Sequence, residues 1–143
     1  MKFLASLSKV LLLPPDAHRT INALQRASDI VLQKSTREGF GLTVTEAMWK
    51  GTPVIGGNAG GIPAQIDEGE TGFLVSSVEE AAERMVDIVS RPELVDAMGD
   101  AGRERVRRDF LITRLLEQHL DLLGSFLGTT GQGAHLIGNH GET

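Results

Sequence analysis

The sequence of 143 residues contains no cysteine. Disulfide bonds, cysteine-ligated zinc and thiol nucleophiles are therefore excluded, and the absence fits a reducing cytoplasm, where we expect the protein. Positive charge is also scarce, because 14 Lys and Arg stand against 19 Asp and Glu, for a formal net charge of −5. This balance argues against non-specific nucleic-acid binding, which needs a surplus of positive charge.

No unbroken apolar run reaches the length needed to span a membrane. The first 13 residues are interrupted by serine and lysine, and Pro14-Pro15-Asp16 follows them instead of a small-residue cleavage site. A secretory signal needs a continuous apolar run and such a site. The pattern therefore favours a short lead-in and a buried strand at residues 10–13 over a targeting signal.

Short apolar runs alternate with helical patterns through the first half of the chain. Strands are predicted at residues 30–32, 53–55 and 73–75, and helices at residues 17–27, 42–50 and, as a single turn, 62–67. The strand runs do not alternate with polar residues, which is typical of strands buried on both faces of a parallel sheet. The order of elements predicts an α/β fold.

From Ser77 onwards the pattern changes to helix after helix. Ser77 and Glu80 form a capping-box signature, Pro92 opens a second helix that Gly99 and Gly102 should weaken, and an apolar stripe follows on a third helix. The three predicted buried stripes are Val78, Ala81, Ala82, Met85 and Val89; Leu94, Met98 and Ala101; and Ile112, Leu115, Leu116, His119, Leu122, Leu123 and Phe126. We expect one partial domain over residues 1–127 and a disordered glycine-rich tail over residues 128–143.

Two glutamates, Glu38 and Glu46, flank a glycine-broken turn that leads into the helix predicted at residues 42–50. Ligands of open parallel sheets bind at the carboxyl ends of the strands, where this turn lies. Gly39 and Gly41 would let backbone N–H groups approach a ligand, and a helix N-terminus attracts phosphate. Carboxylates accept hydrogen bonds from vicinal hydroxyls, so the pattern suits a sugar–phosphate ligand, with Thr43 and Thr45 as further donors.

Simpler interpretations stay open at this point. Glu46 would merely complement the helix dipole and Glu38 would be a solvated loop residue. The glycine-rich loop at residues 56–61 matches neither G-x-G-x-x-G nor the P-loop. The basic run at residues 103–108 is interrupted by Glu104 and lacks interleaved aromatic residues, which favours a solvated helix face over a nucleic-acid site.

The segment from Glu38 to Met48, EGFGLTVTEAM, resembles the E-x7-E signature of the retaining GT-B glycosyltransferases of family 4. Its surroundings match too: ALQRASDIVLQKS precedes it, and GTPVIGGNAGGIPAQIDEGETGFLV follows it. The ordered run of matches covers residues 22–110. Within the family, the segment is most similar to the trehalose synthases that join a nucleotide-activated glucose to free glucose.

The resemblance implies a role for each matching position. The catalytic-site residue Glu38 would accept hydrogen bonds from donor-sugar hydroxyls, and Glu46 from the ribose. The backbone of Gly39, Phe40, Gly41, Leu42 and Thr43 would hold the distal phosphate and the sugar, and Gly60 and Gly61 would keep the neighbouring loop low beside the donor. The family generally needs no metal, and the four histidines, His18, His119, His135 and His140, are scattered.

The resemblance also implies parts that this chain does not match. Members of the family have a first Rossmann-like domain with the acceptor site, and Arg and Lys residues that neutralise the diphosphate. No segment here matches them, and Lys34 and Arg37 have no assigned role. We therefore expect the later half of a GT-B donor-binding domain, completed by a first domain on another chain or by homo-oligomerisation. A catalytically silent nucleotide-sugar-binding or interaction module is the alternative.

Overall fold

The computed structural model describes residues 10–128. Three parallel strands form one sheet in the order β1 (Val31–Gln33), β2 (Val54–Gly57) and β3 (Gly72–Val75). The central strand β2 pairs on both sides, with Val54 opposite Val31 and Ile55 opposite Phe73. The predicted α/β class with a parallel sheet is therefore confirmed.

Helices precede, connect and follow these strands. They are α1 (His18–Ala27), α2 (Leu42–Trp49), a 3₁₀ turn (Ile62–Ala64), α3 (Val78–Val89), α4 (Pro92–Asp109) and α5 (Ile112–Phe126). Within the described residues, one compact unit ends at Val106 and a second begins at Arg107. The predicted tail lies almost wholly outside the described residues and stays a prediction.

Two local signals define helix ends as the sequence predicts. The hydroxyl of Ser77 accepts a hydrogen bond from the Glu80 N–H at 3.0 Å, and the Glu80 carboxylate accepts one from the Ser77 N–H at 3.3 Å. This reciprocal pair is the predicted capping box. Gly51 follows α2 with φ of +78°, a left-handed conformation that suits glycine and ends the helix.

The core of the first unit lies between the sheet and the helices that follow it. One buried cluster joins β2, β3, α3 and α4 through Ile55, Phe73, Val75, Ala81, Ile88 and Met98. Helix α2 contributes Val44, Ala47 and Met48, which are fully buried. The loops at the carboxyl ends of β1 and β2 therefore start from a packed framework.

The predicted strand at residues 10–13 is wrong. This segment is non-regular, and Val10, Leu11 and Leu12 are exposed. A strand needs a hydrogen-bonding neighbour, and within residues 10–128 β1 pairs with β2 alone. In β1, Leu32 is 44% exposed, so the expected burial of this strand on both faces is also wrong.

Apolar stripes predict the buried faces of the helices only in part. In α1 the apolar Ile21 and Leu24 are exposed and Gln25 is buried, because α1 packs against α2 through the face that carries Gln25. In α3, Ala81 and Ile88 are buried whereas Val78 is exposed. The further stripe residues Ala82, Met85 and Val89 are exposed as well, because the apolar stripe is wider than the face that meets the sheet.

The last helix departs furthest from its predicted burial. None of the residues of α5 is buried, although its stripe has helical spacing. In α4 the prediction for Met98 is confirmed, while Leu94 and Ala101 are only half-buried. A periodic stripe identifies the side of a helix that can be buried, but burial requires a neighbour on that side.

Candidate functional site

The loop between β1 and α2 holds the carboxylate of Glu38 in one orientation. Glu38 Oε2 accepts hydrogen bonds from Gln33 Nε2 at 3.2 Å and from Ser35 Oγ at 3.2 Å, and Oε1 accepts one from the Gly39 N–H at 3.1 Å. Gln33 Nε2 also donates to Ser35 Oγ at 2.9 Å. Glu38 is thus a fixed, half-buried acceptor and not a freely solvated loop residue.

The loop ends at Gly41, which is the N-cap of α2 and has a φ of +87°. A side chain at this position would be strained by that conformation, and its Cβ would lie 3.0 Å from Ile62 Cγ1. No side chain caps this end of α2. The first N–H groups of the helix, at Leu42 and Thr43, therefore have no capping side chain, as an anion-binding helix terminus requires.

The second glycine-rich loop lies directly against the first. The Gly61 N–H donates to the Gly39 carbonyl at 2.7 Å, and a Cβ on Gly60 or Gly61 would overlap the carbonyl oxygen of Glu38 or Gly39. Gly60 also has φ of +58°. Glycine is needed at both positions because the backbone of the second loop touches the backbone of the first loop there.

The side chain of Gln65 links the same two loops through hydrogen bonds to their backbones. Its side chain is fully buried, and its Nε2 donates to the carbonyl of Phe40 and, at 3.3 Å, to that of Gly61. The Phe40 side chain itself is exposed beside this contact. One buried amide thereby fixes both walls of the cradle, which we define as residues 38–43 and 59–61.

Glu46 lies on the exposed face of α2, one turn beyond Leu42 and one turn before Trp49. Its Oε2 accepts a hydrogen bond from Gln25 Nε2 at 3.5 Å, and Gln25 Oε1 accepts one from Lys50 Nζ at 2.7 Å. With a rise of about 1.5 Å per residue, Glu46 is about 6 Å along the axis from the start of α2. The two carboxylates therefore flank the open helix end from the loop and from the helix.

Thr43 and Thr45, the two predicted hydroxyl donors, have different surroundings. Thr45 is buried and its hydroxyl donates to the Leu42 carbonyl at 3.1 Å, so the prediction that it offers a donor to a ligand is wrong. A threonine in the first turns of a helix readily bonds to the carbonyl of the preceding turn. Thr43 is half-buried near the helix start and remains a candidate donor.

Three glutamines support the cradle and escaped the sequence analysis. Gln25 contacts Glu46, Gln33 contacts Glu38, and Gln65 contacts the backbone of both loops. Their sequence neighbours could have identified two of them, because Gln33 ends an apolar run and Gln65 lies between apolar residues. A buried amide must find hydrogen-bond partners, so such a position marks a polar contact.

Two arginines of α4, Arg103 and Arg105, bind backbone carbonyls of the first unit. Arg103 donates to the carbonyls of Trp49 and Lys50 at 3.4 and 3.3 Å, where α2 ends. Arg105 donates to the Ala64 carbonyl at 3.1 Å and forms an ion pair with Asp67 at 3.0 Å. Cations suit the carbonyl end of a helix, so these two side chains have structural partners that the solvated-face interpretation did not foresee.

The described residues contain neither a metal-binding cluster nor a membrane-spanning helix. In residues 10–128, no three His, Cys, Asp or Glu side chains converge as a metal site would require. None of the helices in that range combines the length and apolar character needed to cross a membrane.

Residues 5–105 match the sequence profile of the glycosyl transferases group 1. This match covers more than half of the chain and includes the whole cradle. The chain belongs to this glycosyltransferase family. Trehalose synthase of Pyrococcus horikoshii is 56% identical over 110 residues, which are 77% of this chain and 26% of the synthase. The chain thus spans about a quarter of the length of these trehalose synthases.

Solved glycosyltransferase structures share the fold. Sucrose-phosphate synthase of Thermosynechococcus elongatus superposes with a TM-score of 0.68 at 30% identity, over 79% of this chain and 29% of that enzyme. HepE of Anabaena in complex with UDP-glucose superposes with a TM-score of 0.65 at 26% identity, over 73% of this chain and 30% of that protein.

Proposed function

We propose that this glycosyltransferase chain binds the donor for hexosyl transfer from a nucleoside diphosphate sugar to a sugar acceptor. The donor is a nucleoside diphosphate glucose, the acceptor is glucose, the anomeric configuration is retained and the product is trehalose. Similarity to a trehalose synthase supports this choice of sugars, and the UDP-glucose complex of HepE supports the class of donor. The absence of cysteine is compatible with a cytoplasmic reaction.

One observation carries the proposal: two carboxylates flank a helix N-terminus that no side chain caps. The backbone N–H groups of Leu42 and Thr43 would hold the distal phosphate, with Gly39, Phe40 and Gly41 shaping the approach. Glu38, already oriented by its donors, would accept hydrogen bonds from donor-sugar hydroxyls, and Glu46 from the ribose hydroxyls. Gly60 and Gly61 would keep the second loop low beside the donor, because a Cβ on either would overlap the backbone of the first loop.

The residues of the cradle act on the reaction by position and electrostatics. Transfer requires the departing diphosphate to be stabilised while positive charge develops on the sugar. Helix N–H groups would stabilise the leaving phosphate, and the fixed carboxylate of Glu38 would hold the sugar and stabilise its cationic centre. No metal is needed for these roles.

Calorimetric titration with UDP-glucose and ADP-glucose tests the binding step. We expect Glu46→Ala to weaken donor binding about tenfold or more, because one charge-assisted hydrogen bond is lost. Glu70→Ala removes the same charge from an exposed turn outside the cradle and should leave binding unchanged. Lack of binding by the unmodified chain would contradict the proposal for this chain.

A binding module without turnover is the second candidate. The described cradle offers carboxylates, amides and backbone N–H groups, and the chain carries a net charge of −5, which weakens diphosphate binding relative to a site rich in Arg and Lys. An activity assay distinguishes the two candidates: the chain is incubated with the donor and glucose, and disaccharide formation is followed by chromatography. Donor binding without disaccharide favours the module, completed by a partner chain or a second copy; disaccharide formation excludes it.

A further inference from the structure

Gln25 uses both ends of its side-chain amide inside the site. Only 6% of the residue is exposed. Its Oε1 accepts a hydrogen bond from Lys50 Nζ at 2.7 Å, and its Nε2 lies 3.5 Å from Glu46 Oε2 as a donor. A buried amide that is matched at both ends has one favoured orientation, because turning it over would face its NH₂ group towards the ammonium.

The sequence spacing makes this arrangement unusual. Glu46 and Lys50 are four residues apart on α2, in the order that favours a direct ion pair on a helix surface. In the structure Gln25 from α1 stands between them. The ammonium polarises the amide, which strengthens the bond that the amide donates to the carboxylate.

The backbone of Gln25 is held separately. Thr52, which is buried, donates its hydroxyl hydrogen bond to the Gln25 carbonyl oxygen. This contact fastens the end of α1 whatever side chain residue 25 carries. The hydrogen bond to this backbone carbonyl therefore does not depend on the side-chain amide that faces Glu46.

We infer that Gln25 and Lys50 are positioning residues for Glu46, a conclusion that rests on the proposed function. Gln25 occupies Oε2 of the carboxylate and so presents Oε1 to the ligand. When one carboxylate oxygen is held by the protein, the other accepts hydrogen bonds from a vicinal diol in a single fixed orientation. The ligand group recognised in this way is the ribose of a nucleoside diphosphate.

The test removes the 2′-hydroxyl from the nucleotide and the side-chain amide of Gln25 from the protein. UDP and 2′-deoxy-UDP are titrated calorimetrically into the full chain and into Gln25→Met, which retains the side-chain length without the amide. We expect the unmodified chain to favour UDP about tenfold. In Gln25→Met, and likewise in Lys50→Met, the preference should fall to about threefold or less because Glu46 is no longer aimed at the hydroxyl.

The controls separate positioning from folding. Gln118→Met makes the same substitution at an exposed position of α5 and should keep the tenfold preference. A Gln25→Met variant that loses affinity for both nucleotides equally would show a merely structural role and would overturn the inference. An unchanged preference in Gln25→Met and Lys50→Met would overturn it as well.

A second measurement does not depend on ligand binding. In the ligand-free chain, Glu46→Gln and Lys50→Met should each shift the NMR signals of the Gln25 side-chain NH₂ group. Signals that stay in place in both variants would overturn the inference whatever the nucleotides do. Failure of the unmodified chain to bind either nucleotide would instead contradict the proposed function, so the two failures are distinguishable.

Discussion

Helices α2 and α5 are both rich in apolar side chains, but they are buried to very different extents. In α2, Val44, Thr45, Ala47 and Met48 are buried. In the longer α5 no residue is buried, and leucines such as Leu116 and Leu122 are 59% and 55% exposed. Apolar content and helical spacing therefore indicate a face that is able to pack, while the neighbours of a helix decide whether that face is buried.

The neighbours of α2 come unusually close. A Cβ on Gly99 of α4 would overlap the carbonyl oxygen of Gly51, and a Cβ on Gly102 would lie 3.4 Å from the Met48 side chain. Gly99 and Gly102 were predicted to weaken α4, and both prove to be buried at this contact. Glycine there lowers intrinsic helix stability, but it lets α4 approach the end of α2.

Truncating a buried side chain of α2 should have the largest effect and tests the difference in burial between α2 and α5 most strongly. Met48→Ala should lower the free energy of unfolding by about 2–5 kcal/mol, because a fully buried side chain is replaced by a cavity. Leu122→Ala in α5 should change it by less than about 0.5 kcal/mol. Urea unfolding followed by circular dichroism measures both, and equal costs would remove the distinction between the helices.

Gly99→Ala tests the close contact beside α2. The new methyl group would meet backbone and cannot be relieved by moving a side chain, so we expect a cost of about 1–3 kcal/mol. Gly102→Ala is the matched control, since its Cβ would make only ordinary contact with the flexible Met48. Alanine favours a helix over glycine by about 1 kcal/mol, so this variant should be neutral or slightly stabilised in the same unfolding experiment. A stabilised Gly99→Ala would contradict close packing at this point.

Local signals allowed much of the fold to be predicted. The Ser77–Glu80 capping box, the stop at Gly51 and the short apolar strands each depend on neighbouring residues and were predicted correctly. Errors arose where the outcome depends on distant residues. The exposure of Leu32 depends on whether other parts of the chain cover that face of β1, which the sequence of the strand does not encode.

The same division applies to the candidate site. Glu38 and Glu46 stand out from their spacing and from the family resemblance, because their sequence neighbours form the loop and the helix that carry them. Gln25 lies 21 residues before Glu46, and Gln65 lies 25 residues after Phe40. Which polar side chain reaches which partner across such separations depends on helix packing, so these supporting residues became visible only in the fold.

The smallest expected effect concerns the apolar face of α5. Leu116→Gln should change the free energy of unfolding by less than about 0.5 kcal/mol, because the leucine is already largely exposed and gains little from burial. Gln118→Ala on the same helix provides the baseline for an exposed substitution. Unfolding is measured at two protein concentrations that differ tenfold.

A loss of unfolding free energy for Leu116→Gln well above this baseline would show that the apolar face of α5 is covered in solution. A loss that grows with protein concentration would show that a second copy of the chain covers it. The contrast between α2 and α5 would then describe the single chain and not its state in solution.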